Sequence, residues 1–263
     1  MDRMQVVFSA SRNLYPYLPI PIYSLLKYNP DAHIWLMLED DAVPYELPEQ
    51  CTVVDVSKQM IFRGGANTRS PFTYLAMIRA AYPLIFSGEN YKGIEALPRL
   101  DKVISLDCDV VICDSLQPIW ETDLTGKWFA AVPEYPDESR PFGKEHIYRN
   151  CAVCVMNLAQ MREDGVAEKA IDLLMRKRFT FVDEEVLNLL NISDGDRRVV
   201  DLPTRYNEIM TTCFSLNPAI VHAAGEKMVW QKNLDDDVFR GQYFKRWMAY
   251  AEEEACRAAG IRF

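Results

Sequence analysis

The chain has 263 residues, 49% hydrophobic and 25% charged, which supplies a full core and excludes a disordered segment as the default. Lys and Arg total 29 against 38 Asp and Glu, a formal net charge of −9, and no Lys/Arg-rich run offers a track for a phosphate backbone, so no nucleic-acid partner is expected. No apolar stretch reaches the roughly 18 residues of a membrane span, and the apolar run in MDRMQVVFSASRN is too short for a signal peptide, so a cytoplasmic protein is expected.

Met4 to Ser9 reads as a first strand and Pro21 to Lys27 as part of a helix carrying Ile22, Leu25 and Leu26. After the turn Asn29-Pro30-Asp31, Ala32 to Leu38 is a second strand and Cys51 to Val56 a third. Phe72 to Phe86 predicts one amphipathic helical stretch, with Leu75, Ile78 and Tyr82 at three- and four-residue spacing. Val103 to Ile112 is an apolar, β-branched run interrupted by Asp107 and Asp109, and it reads as a buried strand ending in a metal site. Trp128 to Val132 is a short strand, Pro133 to His146 a long loop, and Tyr148 to Leu158 strand-like again. Val166 to Arg178 and Glu184 to Leu190 are helices. This alternation predicts an α/β fold with a parallel or mostly parallel sheet covered by helices. The tail from Val238 to Ala259 reads as a helix with Phe239, Tyr243, Trp247 and Tyr250 along one face. It is expected to pack on the body of the domain or on a second subunit, and its mixed charges give no polybasic attraction to anionic lipid. The domain reading is therefore a body over 1–235 and a helical extension over 236–263.

Three D-x-D triples occur, and context separates them. Asp194-Gly195-Asp196 and Asp235-Asp236-Asp237 sit in polar surroundings, whereas Asp107 and Asp109 follow a strand-like run, where ligands bind in α/β sheets. Two ionised carboxylates there call for a cation such as Mg²⁺ or Mn²⁺ carrying a diphosphate; the plain alternative is a pair of turn aspartates capping the next element. The seven cysteines are an odd number set mostly in apolar runs, which suits reduced thiols. Cys151 and Cys154 form a C-x-x-C, but no second pair completes a zinc site, and CAVCVMNL has the composition of core.

Four segments taken in chain order, Arg99 to Asp109, Tyr148 to Leu158, Phe181 to Asn188 with Leu202 to Asn207, and His222 with Gly225 and Trp230, together resemble glycosyltransferase family 8, the retaining, metal-dependent nucleotide-sugar transferases of the GT-A fold. Arg99 to Asp109 resembles the family stretch ending in L-D-x-D, followed by Asp114-Ser115-Leu116 and Trp120. Tyr148 to Leu158 resembles its N-x-G-x-x-x-x-N-L stretch, and Phe181 to Asn188 with Leu202 to Asn207 resembles its D-Q-x-x-L-N and Y-N pair. His222, Gly225 and Trp230 match the spaced H-x-x-G and W near the end. The resemblance runs from about Gln5 to Trp230.

The resemblance implies roles for particular side chains. Asp107, Asp109 and His222 would bind Mn²⁺ or Mg²⁺, an imidazole among oxygens favouring manganese, although a lone His after an apolar run is also a common core residue. Arg79 would pair with a phosphate or an aspartate, or stand in a structural ion pair. Asn150 and Asp183 would orient the donor sugar, and Lys227, two residues past Gly225, would reach the β-phosphate. Ala10, Ser11, Asn13 and Tyr15 would lie beside the nucleobase and ribose of a UDP-sugar, with Cys108 and Ala152 lining the donor site. The implied activity is transfer of glucose or galactose to a saccharide or glycoconjugate. A non-catalytic nucleotide-sugar binding protein and a sugar-nucleotide nucleotidyltransferase are the other readings; the second is weakened because Ser9 to Asn13 contains no glycine for a phosphate loop.

The chain also departs from the family pattern. Arg12 stands where an Asp usually reads the base, Ala152 replaces a Gly, Lys227 is one place early with the following Pro absent, and Glu184 and Glu185 stand where Gln and Asp are commoner. Glu184 is thus a candidate for stabilising an oxocarbenium or acting as nucleophile, against the plainer role of a first-turn glutamate complementing a helix dipole.

Overall fold

A computed structural model of the chain describes residues 3–68, 73–134, 141–209 and 217–224. The proposed tail helix, Asp235–Asp237, Trp230, Gly225, Lys227 and most of the acidic half of the 133–146 loop lie outside these residues.

In chain order the elements are β1 (Gln5–Ala10), α1 (Pro19–Tyr28), β2 (His33–Leu38), β3 (Cys51–Asp55), α2 (Tyr74–Met77), α3 (Tyr82–Ile85), β4 (Lys102–Leu106), β5 (Val110–Ile112), α4 (Gln117–Trp120) and β6 (Phe129–Pro133). They continue with β7 (Arg149–Asn157), α5 (Leu158–Glu163), α6 (Val166–Arg176), α7 (Val182–Ser193), β8 (Val199–Asp201), β9 (Glu208–Ile209) and β10 (Ile220–His222). The large sheet has the order β3-β2-β1-β4-β7-β6-β8. Its β3, β2, β1 and β4 run parallel, while β7 is antiparallel to both β4 and β6. A small sheet, β5-β10-β9, sits apart from it.

The inner strands β1, β4, β6 and β7, together with β2, are largely buried on both faces, which is why they read as near-continuous apolar runs, while the edge strands β3 and β8 are only partly buried. Alternation still sorts them: Val7, Val103, Cys154 and Met156 join one core, with Ile78, Phe86, Ala170, Leu174 and Leu187 from the helices. Val6, Phe8, Ile104, Val153 and Val155 join the other, with Ile22 and Leu25 of α1. Helices therefore cover both faces, and the C-x-x-C of β7 contributes fully buried thiols to core packing. The five cysteines among the described residues are free. Within the described residues no helix is long and apolar enough to cross a membrane.

Two expectations change. The helical stretch expected over Phe72 to Phe86 is broken into α2, a 3₁₀ turn over Ile78–Ala81 and α3. Pro83 lacks the N–H that would bond to the Arg79 carbonyl and its ring crowds that carbonyl, which disfavours a regular α-helix through this point. The run from Val103 to Ile112 is likewise two strands: β4 ends at Leu106, and after the Asp107–Asp109 turn β5 departs into the small sheet. Asp194-Gly195-Asp196 is a turn after α7, with Gly195 and Asp196 at positive φ, Asp194 paired with Arg197 and Arg198, and Asp196 paired with Arg149.

Candidate functional site

The site is built where the two sheets separate. Asp107 and Asp109 occupy the turn leaving the carboxyl end of β4, the location expected for ligand groups in an α/β sheet. β10 pairs antiparallel with β5 and sets His222 opposite Val110, which brings the imidazole back beside the acidic turn across more than a hundred residues of sequence. The Asp109 carbonyl accepts from Ala223 N at 2.9 Å, and His222 Nε2 lies 3.4 Å from Asp109 Oδ1. One ligating atom from each of Asp107, Asp109 and His222 falls within 4.8 Å of the others. This donor set, two carboxylates and a buried imidazole, fits Mn²⁺ or Mg²⁺. Burial would lower the His222 pKa, but Asp109, reinforced by Asp107 and Glu184, raises it above its ordinary value.

Arg79 reaches this centre from the broken helical segment. Its guanidinium donates to Asp107 Oδ1 and to the Cys151 carbonyl, and Nε lies 3.4 Å from Asp183 Oδ2. Burial alone would lower its pKa, yet Asp107 and Asp183 raise it well above the usual value, so it stays charged. Arg79 lies in the 3₁₀ turn ahead of Pro83, all four residues of which are buried.

α7 begins two residues earlier than the pattern predicts and carries Asp183, Glu184 and Glu185 in its first turn. Val182 enters it at φ +33°, a costly conformation for a β-branched residue. The capping role expected of a first-turn glutamate falls to Glu185, whose Oε2 accepts from Thr180 N at 2.8 Å and Phe181 N at 3.2 Å. Glu184 points the other way and accepts from Cys151 N at 2.8 Å. Burial pushes the Asp183 carboxyl up to about 6 against the pull of Arg79, and burial, with Glu134 and Asp183 nearby, pushes Glu184 up to about 7.

A bulge in β7 supplies the backbone groups that these side chains use. Between Ala131 and Val132 the β6 partner jumps from Cys154 to Asn150, so residues 151–153 are released from pairing on that side. Cys151 N then serves Glu184, the Cys151 carbonyl serves Arg79, and Ala152 N donates to Asn150 Oδ1 at 3.0 Å. On its other side β7 continues into the acidic turn, with Asp107 N donating to the Ala152 carbonyl at 2.9 Å. Asn150 is buried and donates from Nδ2 to Glu134 Oε1 at 2.8 Å.

The proposed base-side residues form a second group at the carboxyl ends of β1 and β2. Ala10 is buried at the end of β1, Ser11 Oγ donates to Asn13 Oδ1, and buried Tyr15 accepts at its hydroxyl from Glu39 N and Asp40 N at 2.9 and 3.3 Å. Arg12 pairs with Asp40, and the two line an open depression with Tyr15, Pro16, Ala42 and Pro44. Cys108 ties this group to the acidic turn, its thiol donating to the Ser9 carbonyl at 3.3 Å.

Sequence reading did not single out Glu134, Asp40 or Asn207 as site residues. Asn207 carried a signal, since it closes the L-P-T-R-Y-N segment, but nothing local marks it as a neighbour of His222, whose Nδ1 lies 2.9 Å from Asn207 Oδ1.

Fold and site together describe a GT-A glycosyltransferase architecture with a candidate divalent-metal centre. The chain belongs to glycosyl transferase family 8, whose model matches residues 5–238. A putative glycosyltransferase of Haemophilus influenzae is 22% identical over 254 residues, which is 87% of this chain and 73% of that protein. A probable galacturonosyltransferase-like protein of Arabidopsis thaliana is 33% identical over 97 residues, 30% of this chain, and the match spans only 25% of the plant protein. The crystal structure of the galactosyltransferase LgtC with donor and acceptor sugar analogues has the same fold, at a TM-score of 0.71 and 20% identity, covering 95% of this chain and 96% of that one.

Proposed function

We propose that this chain is a metal-dependent, retaining glycosyltransferase that moves glucose or galactose from a UDP-sugar to a saccharide or glycoconjugate acceptor. The observation that carries the reading is the convergence of Asp107, Asp109 and His222 at the end of β4, beside Arg79, Asp183 and Glu184. The three would hold Mn²⁺ or Mg²⁺, with the imidazole favouring manganese. When bound, the cation supplies charge neutralisation for the departing diphosphate.

The chain's own residues do the rest. Arg79 holds Asp107 and Asp183 in fixed positions, because its guanidinium is shared between them and the Cys151 carbonyl. Asp183 and Asn150 accept and donate in directions that fix a sugar ring, and the released backbone of β7 holds both Asn150 and Glu184 in place. Retention requires either a carboxylate below the anomeric carbon or attack from the leaving-group face. Glu184 is the carboxylate available for the first route or for stabilising positive charge on the ring. Only its ionised form can do either, so with a pKa of about 7 the rate should rise with pH through neutrality. The base and ribose would lie in the depression lined by Tyr15, with Asn13 close by in sequence.

The test is donor hydrolysis by the purified protein with Mn²⁺ over UDP-, GDP- and ADP-sugars, run beside Asp109→Asn. Metal-dependent release of UDP from one sugar, reduced about 100-fold or more in the variant, is expected. Equal turnover by the variant would sink the metal reading, and turnover of a GDP- or ADP-sugar alone would replace the donor.

A further inference from the structure

Four side chains, of which Glu134 is half-buried and the other three are buried, form one line from the loop after β6 to the candidate metal centre. Asn150 Nδ2 donates to Glu134 Oε1 at 2.8 Å, Asn207 Nδ2 donates to Asn150 Oδ1 at 2.8 Å, and His222 Nδ1 stands 2.9 Å from Asn207 Oδ1. Asn150, Asn207 and His222 are each less than a tenth exposed, so water does not supply their hydrogen bonds freely.

An amide has two ends of nearly the same shape, so the direction of such a line is decided only by a member that can play a single role. Ala152 N, released by the bulge in β7, is that member. A backbone N–H can only donate, and it lies 3.0 Å from Asn150 Oδ1, so the oxygen of Asn150 must face it. The same oxygen requires Asn207 to present its NH₂ group, which turns the Asn207 oxygen toward the imidazole. An amide oxygen can only accept, so Nδ1 of His222 carries a hydrogen in either charge state, and in the neutral imidazole that a cation would select the lone pair is on Nε2, the nitrogen facing Asp109. That is the tautomer a metal ligand needs, and groups that hold it raise the affinity of the ligand set.

We infer that Asn207 is a positioning residue that, oriented through Asn150 by the Ala152 backbone, fixes His222 as an Nε2 ligand for a divalent cation. The inference rests on the metal-binding reading of Asp107, Asp109 and His222. It also couples the two ends of the donor site, because Asn150, the group proposed to meet the sugar, shares the line with the metal ligand.

The experiment is titration of Mn²⁺ into the full-length protein with UDP present, for the wild type, His222→Ala, Asn207→Leu and Asn207→Asp. Leu and Asp both remove the bond to Asn150, but only Asp retains an acceptor for Nδ1–H. Asn207→Leu should weaken Mn²⁺ binding about 10- to 100-fold, while Asn207→Asp should stay close to the wild type. Equal weakening by both would mean that Asn207 acts through packing and would overturn the inference, as would no weakening by Leu. If His222→Ala binds Mn²⁺ as the wild type does, the metal reading itself fails; if only Asn207→Leu is silent, the metal reading stands and Asn207 is released from it. Should Asn207→Leu not fold, ¹⁵N NMR of the wild type with Mg²⁺ and UDP decides. His222 is one of three histidines, and its Nδ1 is expected to be protonated; an unprotonated Nδ1 contradicts the inference.

Discussion

Two arginine–carboxylate pairs, one at the candidate metal centre and one at the base-side depression, differ in everything except chemistry. Arg79, with a side chain 10% exposed, is held among Asp107, Asp183 and a backbone carbonyl, whereas Arg12, 70% exposed, pairs with Asp40 at the rim of the base-side depression. A charge withdrawn from water must be compensated where it sits, so the inner pair is a fixed part of the architecture. A rim pair is screened and entropically loose, so Arg12 can change without consequence for the fold. The lesson is that residue type identifies a candidate site and depth decides what each member of it is worth.

Breaking the inner pair should have the larger effect. Arg79→Met leaves Asp183 buried beside Asp107 without a cation, and a loss of about 3–5 kcal/mol in urea unfolding is expected. A loss no greater than that of an average surface variant would mean that the inner cluster is wetter than its burial implies.

Glu184 sharpens the comparison through pH. Its carboxyl is raised from 4.5 to about 7 in the folded chain, so the unfolded chain ionises first and stability falls as pH rises through that window. Glu184→Gln keeps an acceptor for Cys151 N and removes the ionisation. Its stability should match the wild type near pH 4 and exceed it above pH 7, by at most about 3 kcal/mol. The same variant tests chemistry: unchanged turnover in a stable protein removes Glu184 from the reaction.

Arg12→Met is the smallest perturbation. Its melting temperature should equal the wild type's, and any effect should be confined to discrimination among nucleotides. A clear destabilisation would erase the contrast between rim and interior.

Much of this arrangement could be read before the structure, and the limits have physical causes. β1, β2, β4 and β7 were legible because strands buried on both faces become apolar, β-branched runs. The acidic turn was legible because Asp107 and Asp109 interrupt such a run. His222 was reached only through family resemblance, since its approach to Asp109 depends on β10 pairing with β5, a contact with no local signature. Pro83 announced a break in the Phe72 to Phe86 stretch that apolar spacing concealed, and Arg79 lies in the 3₁₀ turn at that break. The bulge opposite Ala131 and Val132 was not legible at all, because register is a property of two strands together. Nor were Asn207 and Glu134, which both meet the Asn150 side chain beside that bulge, from segments far apart in sequence.

The central claim is that Asp107, Asp109 and His222 hold a divalent cation together with a nucleoside diphosphate. Electron paramagnetic resonance of free Mn²⁺, titrated against the protein with and without UDP, tests it most directly. One Mn²⁺ bound per chain, tightened by UDP and lost in Asp109→Asn, is the predicted result. Mn²⁺ uptake that is indifferent both to UDP and to the substitution would contradict the account.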